Sequence, residues 1–227
     1  MGFSTEWEQR YRENTHMSVW PWSDVVSLVH RHCKPLMQGG GRVLELGCGA
    51  GANIPLFRSL GIDYYAIEGS LTIVKQLTQR YPDLSDNIRV GDFTVDQPFN
   101  SSFDLVIDRA ALTHNSTTSI RRALQLALER LKPGGIFIGS DWFSTSHDDF
   151  LIGEVADDVY TKTNYTNGQF SGVGQVHFSD ETHLRDLFSS YDIAFMEEKY
   201  LKRHEPPDAH TFASWNIVAK KPQIILT

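Results

Sequence analysis

The sequence predicts an α/β fold with a mainly parallel sheet that is covered by helices on both faces. Between residues 40 and 140, short apolar runs alternate with segments whose apolar residues recur at helical spacing, and short turns join them. The first strand ends in a glycine-rich turn, which allows a sharp bend and a close approach of the backbone to a ligand. The last two predicted strands have no helix between them, so they must pair antiparallel.

The elements are predicted in a regular order after an aromatic-rich helical preface over residues 3–36. Pro55 is tolerated in a first helical turn, Pro82 ends the following helix, and Ser116 suits an N-cap. The predicted strands are 43–46, 64–67, 88–90, 103–107, 136–139, 193–200 and 214–219. The predicted helices are 52–60, 71–81, 117–131 and 180–189.

The length of 227 residues fits one domain, which we take as 1–227. Residues 1–38 are expected to form an N-terminal helical lid. Residues 141–178 are polar, aromatic and rich in glycine and aspartate, and they are too long for an ordinary loop. We therefore predict that 141–178 is an insertion that shapes a substrate pocket.

Composition excludes several classes of protein. The formal net charge of −7 argues against broad binding to a nucleic-acid backbone, which needs clustered basic residues. No apolar run approaches the length of about 20 residues that crosses a bilayer, and the charged first residues do not resemble a secretory signal. Cys33 and Cys48 are expected to be free thiols. We expect a cytoplasmic protein, a monomer or homodimer, with no nucleic-acid or membrane partner.

The glycine-rich turn has the sequence Val43-Leu-Glu-Leu-Gly-Cys-Gly-Ala-Gly51. Such a turn opens a helix whose first amides and positive dipole end favour an anionic group. Gly47, Gly49 and Ala52 also satisfy the loose dinucleotide pattern, so the glycines alone do not exclude an enzyme that binds a nicotinamide dinucleotide.

Three acidic residues near strand ends help to distinguish between the ligands that such a turn could bind. Glu45 lies inside an apolar strand, where an unpaired carboxylate is costly, and could hold an ammonium group directly or through water. Glu68 ends the second strand, where an acid accepts hydrogen bonds from ribose hydroxyls. Asp92 follows the third strand, where its carboxylate can accept an adenine amine while Phe93 covers the ring. Because the strands are parallel, these residues are expected to meet at one sheet edge.

With these motifs the sequence resembles the class I (Rossmann-like) S-adenosylmethionine-dependent methyltransferases. The resemblance is strongest over residues 40–140, through the glycine turn, Glu68, Gly91-Asp92-Phe93 and Leu131-Lys132-Pro133-Gly134-Gly135. It implies a doubly wound seven-stranded sheet with an antiparallel last strand, S-adenosylmethionine as cofactor and S-adenosylhomocysteine as product. The residues expected at the donor are Tyr11, Trp20, Glu45, Gly47, Cys48, Gly49, Gly51, Asn53, Glu68, Gly69, Asp92, Phe93 and Asp108.

The same resemblance places the end of the fourth strand near the transferred methyl group. We therefore take His114, Asp108 and Asp141 as candidate general bases for an oxygen or nitrogen acceptor. Tyr160, Tyr165, Phe170 and His177 of the insertion are expected to shape the acceptor pocket.

The acceptor is expected to be a small molecule, such as a sugar, a nucleotide-linked precursor or an amine, because the sequence lacks the N/D-P-P-Y/F motif of nucleic-acid amino-methylating enzymes. No convincing metal-ligand set is found. An NAD(P)-type oxidoreductase, which would not need Asp92, and a non-catalytic donor-binding relic are the alternatives.

Overall fold

The computed structural model describes residues 5–15 and 17–223. Residues 1–4, 16 and 224–227, which include parts of the predicted lid and preface, lie outside the described residues. The helices are α1 (Thr5–Arg12), α2 (Ser23–His32), α3 (Ile54–Ser59), α4 (Leu71–Arg80), α5 (Thr117–Arg130) and α6 (Glu181–Leu187). The strands are β1 (Arg42–Leu46), β2 (Asp63–Glu68), β3 (Ile88–Val90), β4 (Phe103–Arg109), β5 (Leu131–Phe143), β6 (Glu154–Val155), β7 (Thr161–Thr163), β8 (Val176–His177), β9 (Asp192–Lys202) and β10 (Thr211–Lys220). Short 3-10 helices cover Lys34–Gln38, Pro82–Leu84, Leu112–His114 and Asp148–Leu151.

Seven strands form the central sheet in the order β3-β2-β1-β4-β5-β10-β9. The first five run parallel, and β10 pairs antiparallel with both β5 and β9. This confirms the predicted α/β fold with its antiparallel last strand. The polypeptide crosses over at β1, so β2 and β4 lie on either side of it and leave a crevice at their carboxyl ends.

Helices bury the sheet on both faces. Val25, Leu28 and Phe57 of α2 and α3 pack on one face, and Ile120 and Leu124 of α5 pack on the other. Side-chain caps begin three of the helices where the sequence offers a short polar residue. These N-caps are Ser70, Ser116 and Asp180, each accepting a peptide N–H three residues later.

The fifth strand is longer than predicted. It covers residues 131–143, whereas the apolar run indicated 136–139, because Trp142 is 1 % exposed and pairs with Trp215 of β10. Asp141 therefore belongs to the sheet, and the segment that leaves the sheet begins at Ser144. That segment contains a small antiparallel sheet, β6-β7-β8, and an aromatic cluster of Phe143, Tyr165, Phe170 and Phe178.

The third helix starts at Ile54 rather than Ala52, since the glycine turn extends through Asn53. Cys33 and Cys48 are both buried free thiols, as predicted. Among the described residues, no helix combines the length and the apolar character needed to span a bilayer.

Candidate active site

A cavity of about 530 Å³ opens where β1, β2, β4 and β5 end. Its position is the crevice that the strand order creates beside β1. The cavity brings together residues that lie far apart in the sequence, from the first helix to the last strand. The predicted site residues that line it are Tyr11, Glu45, Gly47, Cys48, Gly49, Asn53, Glu68, Gly69, Asp92, Phe93, His114 and Asp141.

The glycine turn keeps the floor of the cavity open. Gly47 has a φ of +68°, and a Cβ there would lie 2.4 Å from Cβ of Ala111 and 3.3 Å from the Phe93 ring. At Gly49, with a φ of +49°, a Cβ would lie 3.0 Å from the Tyr11 hydroxyl. A side chain at either position would therefore collide with residues of the cavity wall, so glycine lets the turn pack closely against Ala111 and Tyr11.

Gly51 lies outside the cavity wall, in contrast to the prediction. A Cβ at Gly51 would lie 2.7 Å from both Ile54 and Leu77, so this glycine lets the turn pack closely on α4. Its φ of +80° is a second reason for glycine at this position. The third glycine of the motif therefore serves packing.

Glu68 ties the end of β2 to the glycine turn. Its Oε2 accepts the Gly49 peptide N–H at 2.8 Å, and its Oε1 accepts the Ser70 peptide N–H at 2.9 Å. The side chain is 3 % exposed. Burial raises the pKa of Glu68, although these peptide hydrogen bonds oppose the shift. Each carboxylate oxygen has a further lone pair for a ligand hydroxyl.

Asp92 and Phe93 lie on the adjacent part of the wall. The Oδ1 atom of Asp92 accepts hydrogen bonds from the Thr94 peptide N–H at 2.9 Å and from the Thr94 hydroxyl at 2.7 Å. These bonds fix the carboxylate against the turn after β3. Asp92, Phe93 and Glu68 therefore face one cavity.

Glu45 lies beneath the glycine turn with both oxygens in use. Oε1 accepts from Nδ2 of Asn53 at 2.8 Å, and Oε2 accepts from the Tyr64 hydroxyl at 2.5 Å. Burial raises the pKa of Glu45 to about 7, against the effect of these two hydrogen bonds. The Oδ1 atom of Asn53 is buried and accepts no hydrogen bond from the described residues. Glu45 therefore orients Asn53, which leaves an acceptor atom for a ligand.

Helix α1 closes the cavity as a strap. On one side of the helix Glu8 accepts hydrogen bonds from the hydroxyls of Ser70 and Thr72, both at 2.5 Å. On another side Arg10 donates to the carbonyls of Ser171 at 2.6 Å and Gly172 at 3.2 Å. Tyr11, 8 % exposed, lies between them against the glycine turn.

The structure does not bring Trp20 to the cavity. Trp20 is 71 % exposed and lies outside the cavity wall, whereas Trp22 lines it. The Arg109 guanidinium stacks over the Trp22 ring with its carbon 4.0 Å from the ring centre. This stacking holds Trp22 at the cavity and leaves Trp20 on the surface of an irregular segment.

Asp108 does not line the cavity. It is 1 % exposed, its Oδ1 accepts the Leu112 peptide N–H at 2.9 Å, and its Oδ2 accepts Nε1–H of Trp142 at 2.7 Å. Burial raises the pKa of Asp108 to about 7. Because neighbouring side chains of a strand point to opposite faces, Arg109 reaches the cavity and Asp108 holds the turn after β4.

Asp141 lines the cavity but is bound by two cations. Nη2 of Arg109 lies 3.0 Å from its Oδ2, and Nζ of Lys199 lies 2.6 Å from its Oδ1. Lys199 also pairs with Asp24 of α2. Burial alone raises the pKa of Asp141, but the hydrogen bond from Lys199 and the charges of both cations lower it below its ordinary value. Asp141 is thus a stable anion and a weak base.

His114 lies in the cavity wall after the fourth strand. Its Nδ1 is 3.2 Å from the Gln175 carbonyl oxygen, and its ring packs edge-on against Trp7 and Phe143. A carbonyl can only accept, so Nδ1 carries the hydrogen and Nε2 carries the lone pair of the neutral ring. The Gln175 contact thereby fixes the tautomer.

Part of the insertion forms the remaining wall. Phe170 lines the cavity as predicted, whereas Tyr160, Tyr165 and His177 do not. Sequence reasoning missed several wall residues, because their approach depends on how distant segments pack over the sheet. Among the missed residues are Phe143, Gln169, Val173 and Phe212.

Comparison with known proteins finds a family match over part of the chain. The sequence model of the methyltransferase domain family matches residues 44–139, which contain the glycine turn, Glu68 and Asp92. No curated protein matches the chain by sequence.

Solved structures share the fold at low sequence identity. A methyltransferase dependent on S-adenosylmethionine from Methanosarcina mazei is 16 % identical with a TM-score of 0.67, over 90 % of this chain and 99 % of that one. One from Clostridium acetobutylicum is 13 % identical with a TM-score of 0.64, over 95 % and 96 %. Magnesium protoporphyrin IX methyltransferase of Synechocystis, with bound S-adenosylhomocysteine, is 17 % identical with a TM-score of 0.58, over 87 % and 82 %.

Proposed function

Because the chain is a class I (Rossmann-like) S-adenosylmethionine-dependent methyltransferase, we propose that it methylates a small-molecule acceptor at an oxygen or nitrogen atom. The observation that carries this proposal is an aromatic chamber at one side of the cavity. The whole cavity, of about 530 Å³, is in the range of small-ligand pockets, about 300–1,000 Å³. We call this part the acceptor chamber: Trp7, His114, Phe143, Gln169, Phe170 and Phe212.

The donor fits the remainder of the cavity by its chemistry. Glu68 offers lone pairs to the ribose hydroxyls, and Asp92 offers a carboxylate to the adenine amine beside Phe93. The orphaned Oδ1 of Asn53 suits the donor's ammonium group. Gly47 and Gly49 line the cavity without a side chain and with positive φ values. When bound, the cofactor supplies a methyl group activated by the positive charge of its sulfonium.

His114 is the best-placed general base in the acceptor chamber. Its neutral tautomer has the lone pair on Nε2, which can accept the proton that an acceptor hydroxyl or ammonium loses. Asp108 is buried behind the wall, and the lowered pKa of Asp141 makes that carboxylate a weak base. Of the three predicted candidates, we propose His114 for this role.

The chamber also favours one kind of acceptor. Its aromatic walls suit a flat or apolar body, and Arg109 at its margin supplies donors. The Nε–H group of Arg109 is buried and donates no hydrogen bond to the described residues. An acceptor that carries a carboxylate or carbonyl oxygen would satisfy it. The Synechocystis neighbour, named for the small molecule magnesium protoporphyrin IX, supports a small acceptor.

A transfer assay with isotope-labelled donor tests the proposal. We expect label to enter the small-molecule fraction of a cell extract that has been separated by ultrafiltration, and not the protein or nucleic-acid fraction. His114→Gln should lower kcat by about a hundredfold and change the affinity for S-adenosylhomocysteine little, because a general base contributes about 10²–10⁴-fold. His204→Gln, at an exposed histidine, is the matched control.

Label that enters only macromolecules would overturn the proposed acceptor class. A His114→Gln variant with unchanged kcat and an unchanged pH profile would remove His114 as the base, while the methyltransferase activity itself would stand.

A further inference from the structure

A cluster of side chains that could bind a metal ion lies behind the acceptor chamber. One ring nitrogen of His147, one of His210 and a carboxylate oxygen of Asp149 all lie within 4.8 Å of one another. His147 and Asp149 flank the start of the 3-10 helix after β5, and His210 precedes β10. From this arrangement we propose a zinc site formed by His147, Asp149 and His210.

The carboxylate is the strongest indication of a missing ligand. The Asp149 side chain is 3 % exposed, yet its Oδ2 receives no hydrogen bond from the described residues. A buried carboxylate oxygen without a partner is costly, and a cation bound to it would offset that cost. The absence of a side chain at Gly168 leaves room beside this oxygen, because a Cβ there would lie 3.1 Å from Oδ2.

The distances suit a small ion of tetrahedral preference. Nε2 of His210 lies 2.9 Å from Oδ1 of Asp149. Zinc–nitrogen and zinc–oxygen bonds of about 2.0–2.2 Å place neighbouring ligand atoms about 3.3 Å apart. Zinc bound by both carboxylate oxygens of Asp149 would replace the proton between Oδ1 and His210 and would satisfy Oδ2, and a ring nitrogen of His147 would approach by less than about 1.5 Å.

The surroundings of His147 give it the tautomer that a ligand needs. Its Nδ1 accepts the Asp149 peptide N–H at 3.0 Å, so the Nδ1 lone pair faces the Asp149 segment. Its Nε2 lies 3.1 Å from the Gln169 amide, which with its oxygen turned to the ring accepts Nε2–H. Zinc at Nδ1 would take over the first hydrogen bond, and Gln169 would orient the ring from the other side.

The zinc ligands would connect the segment after β5 with the segment before β10, and the contact of Gln169 with His147 would add a third segment of the chamber wall. Gln169 lines the chamber directly, and the His147 ring packs on Phe170 and Phe212 with ring centres 5.3 Å and 5.1 Å apart. Bound zinc would hold the insertion against the β9–β10 hairpin. Its role would be to stabilise this wall, at a distance from the methyl transfer.

Zinc titration of the untagged, chelator-treated chain tests the inference. We expect one zinc ion per chain by calorimetry and elemental analysis. At a zinc concentration about 100 times the Kd, the Tm should rise by about 5–10 °C. His210→Ala should weaken zinc binding at least about tenfold and abolish the rise in Tm. His204→Ala, in the same hairpin connection, is the matched control and should bind as the wild type does.

The fold of the variant is checked separately. His210 is partly exposed, and the Thr211 peptide N–H still donates to Asp148 at 2.7 Å, so the hairpin contact persists without the histidine ring. His210→Ala should therefore keep its affinity for S-adenosylhomocysteine. A wild type that binds no zinc, or a folded His210→Ala variant that binds zinc as well as the control does, would overturn the inference.

Discussion

Replacing the carboxylate at the end of β2 offers the sharpest test of the proposed donor site. Each oxygen of Glu68 already accepts one peptide N–H, at 2.8 Å from Gly49 and at 2.9 Å from Ser70. Glu68→Gln converts one of these acceptors into a donor that faces a peptide N–H. The variant loses one charge-assisted hydrogen bond to the backbone and at least one to a ribose hydroxyl.

A hydrogen bond to a charged group contributes about 1.5–3 kcal/mol. We therefore expect Glu68→Gln to weaken the binding of S-adenosylhomocysteine by about tenfold to a hundredfold. The free energy of unfolding should fall by a similar 1.5–3 kcal/mol. Isothermal titration measures the first quantity, and urea unfolding without ligand measures the second.

Asp63→Asn is the matched control because Asp63 is an exposed acid at the other end of the same strand. It should bind S-adenosylhomocysteine within about twofold of the wild type, as surface changes usually do. A folded Glu68→Gln variant with an affinity within about threefold of the wild type would show that Glu68 does not hold the ligand.

Three further predictions concern stability, pH and exchange of the ligand. Gly47→Ala should lower the free energy of unfolding by about 2–5 kcal/mol, because it adds left-handed backbone strain and a clash of its Cβ. Gly40→Ala, which adds only the strain, should lower it by about 1–2 kcal/mol. Equal losses for the two variants in urea unfolding would contradict this reasoning. Burial raises the pKa of Glu45 to about 7, so the folded state keeps a proton that the unfolded chain loses near its ordinary pKa. The wild type should then lose roughly 3 kcal/mol relative to Glu45→Gln between pH 5 and pH 8, and parallel curves in urea unfolding would exclude it. Arg10→Ala removes one anchor of the strap and should speed release of S-adenosylhomocysteine about tenfold in stopped-flow fluorescence. Gln9→Ala, at an exposed side chain of the same helix, should not change the release rate. Equal rates in both variants would show that the strap does not control release.

The sheet and the floor of the cavity follow from local signals in the sequence. Apolar runs fix the parallel strands, the glycine turn follows β1, and Glu68 and Asp92 come at the ends of β2 and β3. Since parallel strands end at one edge, their place in the cavity could be predicted from order alone.

The other residues depend on orientation or on distant packing. Asp108 and Arg109 are adjacent polar residues, and only the turn after β4 decides which of them enters the cavity. Trp22 rather than Trp20 lies at the cavity because the Trp22 ring stacks with Arg109, a contact between positions that are distant in the sequence. Nor can spacing reveal a contact such as Asp149 with His210, which are 61 positions apart.

The strap across the cavity has a consequence for how the protein exchanges its contents. Eight residues are too few for a helix to persist by itself in water, so α1 owes its regular structure to Glu8, Arg10 and Tyr11. When these contacts break, α1 loses its helical structure and its contacts on both sides of the cavity. We therefore expect the entry of a donor and the departure of a methylated product to depend on one local unfolding event, whose free energy sets how often the cavity opens.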